Sequence, residues 1–127
     1  MAIFKINLRA DNYELNEGIK NFVNDKVYAF EKFLPISEKE EVIVDVVLAK
    51  TTQHHNNGEI YRAEFALKYK KEFKHSEIIS ESMISSIERA CEEINRQILK
   101  TKEKKINFFR AGSEKAKKWL RFRSKED

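Results

Sequence analysis

The sequence predicts an α+β fold: a two-layer sandwich in which a four-stranded, antiparallel-rich sheet carries two helices on one face, in the order β-α-β-β-β-α. Three observations predict it. Two stretches place apolar side chains at every second position and a third is apolar on both faces, the marks of strands, and two longer ones place them three and four apart, the spacing of helices. With 3 Gly and 1 Pro the chain is too poor in turn formers for a many-turned sandwich or a linker-rich protein. Its 127 residues make one domain, long enough to bury roughly two thirds of its unfolded surface without staples.

The elements follow in order. Residues 2–9 read as a half-buried strand, with Phe4, Ile6 and Leu8 on one face and Lys5, Asn7 and Arg9 on the other. Asn16 is the N-cap of the first helix and Glu17 complements the dipole in its first turn. Leu15, Ile19, Phe22, Val23, Phe30 and Phe33 recur at helical spacing until Pro35 stops the helix. From Glu41 to Ala49 both faces are largely apolar, which predicts a central strand. The polar run from Lys50 to Gly58 is a loop in which Asn57-Gly58 supplies the positive φ of a tight hairpin. Tyr61, Ala63, Phe65 and Leu67 then share a strand face, with Arg62 and Glu64 on the other. The partner strand is 73–80, across an unorthodox turn, Tyr69-Lys70-Lys71-Glu72. Ser82 caps the second helix, whose apolar stripe is Ile84, Ile87, Cys91, Ile94 and Ile98.

After Lys104 the pattern changes, dividing the chain into a globular body, 1–105, and a basic, aromatic tail, 106–127. Gly112 interrupts the tail. Ser113 is placed to cap a short helix carrying Ala116, Trp119, Leu120 and Arg123, which needs a surface to dock against.

Charge follows the same division. Of the 25 basic and 21 acidic residues, 11 and 4 fall in 100–127, a balance of +7. The first 99 residues hold the other 14 and 17, a balance of −3, and the whole chain is +4. An anionic partner is therefore met by a local patch or by the tail, not by a uniformly basic surface.

Catalysis has little support. His54 and His55 are neighbours in a loop, with no paired ligand spacing, and His75 has no Asp or Cys beside it in sequence. The single Cys91 lies on an apolar stripe, where burial makes a thiol a poor nucleophile, and one cysteine excludes a disulfide framework. No phosphate loop, metal-ligand cluster or nucleophile elbow occurs. The expectation is no enzyme, no cofactor and no small-molecule substrate. No apolar run approaches the roughly 18 residues of a membrane span and no signal-peptide core follows Met1, so a soluble cytoplasmic protein without a membrane partner is expected.

Cations are the better signal. Arg89, Glu93, Arg96 and Lys100 form a stripe on the second helix opposite the isoleucines. Such a stripe is commonly only a solvated face, but guanidinium groups at that spacing also suit phosphates. Helix one carries Lys20, Lys26 and Lys32, and Lys26 falls among apolar positions, where a side chain that snorkels to solvent is the simple explanation. Phe108, Phe109, Trp119 and Phe122 interleave with basic residues in the tail, a pattern suited to nucleic-acid stacking, to a membrane surface or to a dimer contact.

Over residues 3–104 the sequence resembles the ribosome hibernation promoting factors, also called ribosome-associated inhibitor or protein Y proteins. The resemblance rests on Ile6-Asn7-Leu8-Arg9, on the helix from Ile19 through Val27 to Phe33, and on the run from Ala90 to Lys100. It implies a fold related to double-stranded-RNA-binding domains with an added first strand. It also implies a partner, the small ribosomal subunit and its rRNA, and a steric mechanism in which the domain fills the mRNA and tRNA channel at the decoding region and silences idle ribosomes. The family's basic positions fall here on Lys26, Lys32, Arg96 and Lys100. Arg89, Lys104 and Lys105 extend the expected RNA-binding set, and Arg110, Lys117, Lys118, Trp119, Arg121 and Arg123 are expected tail contacts. Other basic positions of the family fall on Ala29 and Glu93, and its Asp-Met-Tyr becomes Ser82-Met83-Ile84. The residues beyond Lys104 are too few for the second, dimerising domain of long members, so a short form is expected. Two other readings stay open: a free-standing double-stranded-RNA binder, and a protein or membrane interaction module working through the tail.

Overall fold

The computed structural model describes residues 3–34, 41–51 and 60–110, with side chains as far as Lys104. The elements are β1 (Ile3–Asp11), α1 (Glu17–Tyr28), a 3-10 turn (Ala29–Lys32), β2 (Glu41–Lys50), β3 (Tyr61–Tyr69), β4 (Glu72–Ser80) and α2 (Met83–Arg110). The strands lie in sequence order, with β1 parallel to β2 and the two later pairs antiparallel. The predicted class, element order and central β2 are all found.

Strand alternation builds the core. Val42, Val44, Val46 and Leu48 of β2 sit in register with Tyr69, Leu67, Phe65 and Ala63 of β3. Against them pack Ile19, Val23, Val27 and Phe30 from the first helical segment and Met83, Ile87, Ala90, Cys91, Ile94 and Ile98 from α2. Both helices therefore cover one face, and the other, including Ile43, Val47, Phe73 and Ile79, is left open. The β4 contribution to the core is thinner, because Ser76 lies opposite Phe65 and Lys74 opposite Leu67. Buried polar atoms there are paired: Ser76 Oγ donates to the Ala90 carbonyl at 2.9 Å. Ser86 Oγ donates to the Tyr61 carbonyl at 2.6 Å and has Ser80 Oγ 2.6 Å away.

Both expected caps form. The Ile19 N–H donates to Asn16 Oδ1 at 2.8 Å and the Ser85 N–H to Ser82 Oγ at 3.1 Å, each satisfying a donor the first helical turn leaves without an internal partner. Three expectations change. The first helix does not run evenly to Pro35: it gives way to the 3-10 turn at Ala29, which keeps Phe30 fully buried. The start of the α2 stripe is Met83 and not Ile84, which is 42% exposed. The helix also passes the pattern change at Lys104 and continues to Arg110. The unorthodox turn is a two-residue hairpin, Tyr69 pairing with Glu72, and Lys70 takes φ 54 without being a glycine. The Asn57-Gly58 turn and the Ser113 helix lie outside the described residues.

Candidate nucleic-acid interface

Helical geometry places the α2 cations. Arg89, Arg96, Lys100 and Lys104 are all exposed and follow one another at steps of seven, four and four residues, on the side away from Ile87 and Ile94. Arg89 borders a shallow polar hollow with Ser80, Glu81, Ser82 and Ser85. Arg96 is held: its Nε donates to Glu93 Oε2 at 2.9 Å and an Nη to Glu93 Oε1 at 2.5 Å. Those hydrogen bonds, aided by one from Gln97, pull the Glu93 carboxyl down to about 2, and the same pairing raises Arg96. The family departure at Glu93 thus has a structural role, since this carboxylate orients Arg96.

Lys26 is half-buried on α1, its Nζ 5.4 Å from the centre of the Phe22 ring. Its charge reaches Cys91 on α2, so it lies toward the seam between the helices. A Lys with an apolar stem along Phe22 and its charge at the seam is a snorkelling side chain. Five residues of helix put Arg96 about 140° around α2 from Cys91, so the Arg96 stripe and Lys26 occupy different flanks of α2. Lys32 is exposed at the end of the 3-10 turn. The side chains of Lys105 and Arg110 are not described, and Lys117, Lys118, Trp119, Arg121 and Arg123 lie outside the described residues.

Sequence reasoning did not anticipate Gln97. Its Nε2 donates to the His75 carbonyl at 2.7 Å and to Glu93 Oε1 at 3.2 Å, and its Oε1 accepts from the His75 N–H at 3.2 Å. The Arg96 head group is therefore linked through Glu93 and Gln97 to the β4 backbone. Lys74 is another cation without a sequence signal. It turns under α2, donating to Thr101 Oγ1 at 2.6 Å with Glu72 at 3.4 Å, and is not part of the exposed stripe.

Other chemistry has little to work with among the described residues. No group of three or more His, Cys, Asp or Glu is placed to hold a metal. His75 stacks on Phe73 at 6.3 Å and its Nε2 lies 3.6 Å from Glu64, a surface pairing. Burial pushes the Cys91 thiol up to about 12, the Lys26 charge opposing in part. An apolar hollow between Leu34, Leu67, Tyr69 and Ile98 holds about 60 Å³. No described helix is long and apolar enough to cross a membrane.

The family model described as sigma 54 modulation protein / S30EA ribosomal protein matches residues 6–106. The chain belongs to this family. It is a family of ribosome-associated proteins, and the match runs from within β1 through the other three strands and most of α2. A search of the curated proteins finds no match. Among solved structures, the chain is similar to the protein Y N-terminal domain of Thermus thermophilus. The identity is 21%, with a TM-score of 0.59, over 77% of this chain and 96% of that one. It is also similar to a ribosomal subunit interface protein from Coxiella burnetii at 10% identity and a TM-score of 0.56, over 81% and 99% of the two chains. At these identities the likeness is one of fold.

Proposed function

We propose that this S30EA family protein binds the small ribosomal subunit near the decoding region, where its bulk excludes mRNA and tRNA and silences translation in idle or stressed cells. The observation that carries this reading is the exposed Arg89, Arg96, Lys100 and Lys104 stripe on α2, which lies within the residues the family model matches. On this reading the stripe meets rRNA phosphates. Arg96 presents a planar fork that Glu93 has already oriented, and the lysines act as mobile point charges. Lys26 on α1 and Lys32 on the 3-10 turn supply further contacts, and Lys105 adds a charge next to Lys104 in the sequence. No bond is made or broken: inhibition is occupancy of a channel. The body, 1–105, is the binding domain, and the 106–127 tail, with Arg110, Lys117, Lys118, Trp119, Arg121 and Arg123, is an accessory contact in the cytoplasm.

Co-sedimentation with purified small subunits across a salt series tests this. Affinity should fall steeply with salt, because phosphate contacts release counterions. Each removed phosphate contact should flatten the logarithmic slope by about one. Arg96→Glu combined with Lys100→Glu should abolish pelleting at low salt. Intact binding by that double variant, or equal affinity for plain RNA duplex, overturns the reading.

A further inference from the structure

Strand β4 forms one edge of the sheet, and a side chain from α2 closes that edge at its middle. The Gln97 amide both donates to and accepts from the His75 peptide, at 2.7 and 3.2 Å, which is the pair of bonds a neighbouring antiparallel strand would make. Because His75 directs its N–H and C=O away from β3, strand alternation directs those of Phe73, Glu77 and Ile79 the same way. Glu93 holds the amide in place through Gln97 Nε2 at 3.2 Å. The other edge strand, β1, needs no such device, since Lys5, Arg9 and Asp11 give it the exposed charges that discourage strand pairing.

The side chains along β4 are self-complementary. With a second copy laid antiparallel and Ser76 opposite Ser76, each Phe73 meets an Ile79 and each His75 meets a Glu77, all on the open face of the sheet. Phe73 and Ile79 are 56% and 37% exposed, so an apolar contact is available at both ends of the pairing. His75 and Glu77 lie against Glu64 and Arg62 of their own sheet at 3.6 and 3.4 Å and stay partly exposed. In the same register, all four outward-pointing peptides fall into hydrogen-bonded pairs. Registers shifted by two residues place Phe73 opposite Glu77, or Ile79 opposite His75, and lose the match.

We infer that β4 is a latent pairing edge for a second copy of this chain and that Gln97 is the guard that keeps it closed. The inference is independent of ribosome binding. Sedimentation equilibrium of the full chain, from micromolar to near-millimolar concentration, tests it. Wild type should remain a monomer. Gln97→Met keeps the side-chain length but removes the amide donor. It should lower the dimer dissociation constant by about tenfold or more, the scale of one or two net hydrogen bonds. Gln97→Ala is the second variant, and circular dichroism with a cooperative melt confirms that each is folded. In the Gln97→Met background, Glu77→Lys should return the protein to monomer, and adding His75→Glu should restore the dimer. Folded Gln97 variants that stay monomeric overturn the inference. So do dimers indifferent to Glu77→Lys, or a wild type that dimerises as tightly as the variants.

Discussion

The Arg96 guanidinium and the Glu93 carboxylate form a two-point ion pair on the exposed face of α2, with N···O distances of 2.9 and 2.5 Å. The pair both orients the arginine and competes for it. Its electrostatic signature is the Glu93 carboxyl, drawn from the ordinary 4.5 to about 2 by hydrogen bonds from Arg96 and then Gln97. A lowered folded-state value means the stabilisation is complete above 4.5 and is lost as pH falls toward 2. A carbon-detected NMR titration should show the Glu93 carboxyl titrating below the ordinary glutamate value. A midpoint at the ordinary value would mean the pair does not persist in solution.

The same pair makes a prediction for ribosome affinity. Phosphate oxygens must share or replace Glu93 at the Arg96 fork, so Glu93→Gln removes a competitor and a like charge. An exposed helix pair is weak, so affinity for small subunits should rise only about twofold at fixed salt. Weaker binding would show instead that fixing the Arg96 geometry matters more than freeing its charge.

Ser86 makes a stronger prediction because it is fully buried. Its hydroxyl reaches the Tyr61 carbonyl and Ser80 Oγ, both at 2.6 Å, joining α2 to β3 and to the end of β4. Ser86→Ala leaves a buried carbonyl without that donor and should cost about 1 to 3 kcal/mol in chemical denaturation. Ser85→Ala, one residue earlier and half-buried, should stay within about 0.5 kcal/mol. Equal effects would contradict the inward placement of Ser86.

Those elements that depend on near neighbours were legible. Asn16 and Ser82 cap helices three residues away, and Val42 to Leu48 announce a central strand because both faces of the stretch are largely apolar. Choices set by distant chain were not. Met83 and Ile84 both border the face defined by Ile87, and periodicity favoured the more apolar Ile84. Packing against the sheet selects Met83 and leaves Ile84 exposed. Gln97 gave no signal because its partner is a strand peptide 22 residues away. Denaturation of two variants checks the corrected stripe: Met83→Ala should cost about 2 kcal/mol or more, and Ile84→Ala well under about 1. The reverse order would restore the stripe read from sequence.

Cys91 is 4% exposed on α2, and burial raises its thiol to about 12 despite the nearby Lys26 charge. Thiolate is the reactive form, so the raised value and the closed core act together to slow any attack. Labelling of the folded protein by a thiol reagent near pH 8 should be at least about a hundredfold slower than labelling in denaturant. The rate should follow the unfolding equilibrium as denaturant is added, because the buried side chain is reached through opening of the core. Rapid labelling under native conditions, with the helical circular dichroism unchanged, would place the thiol at the surface and contradict the packing of α2 on the sheet.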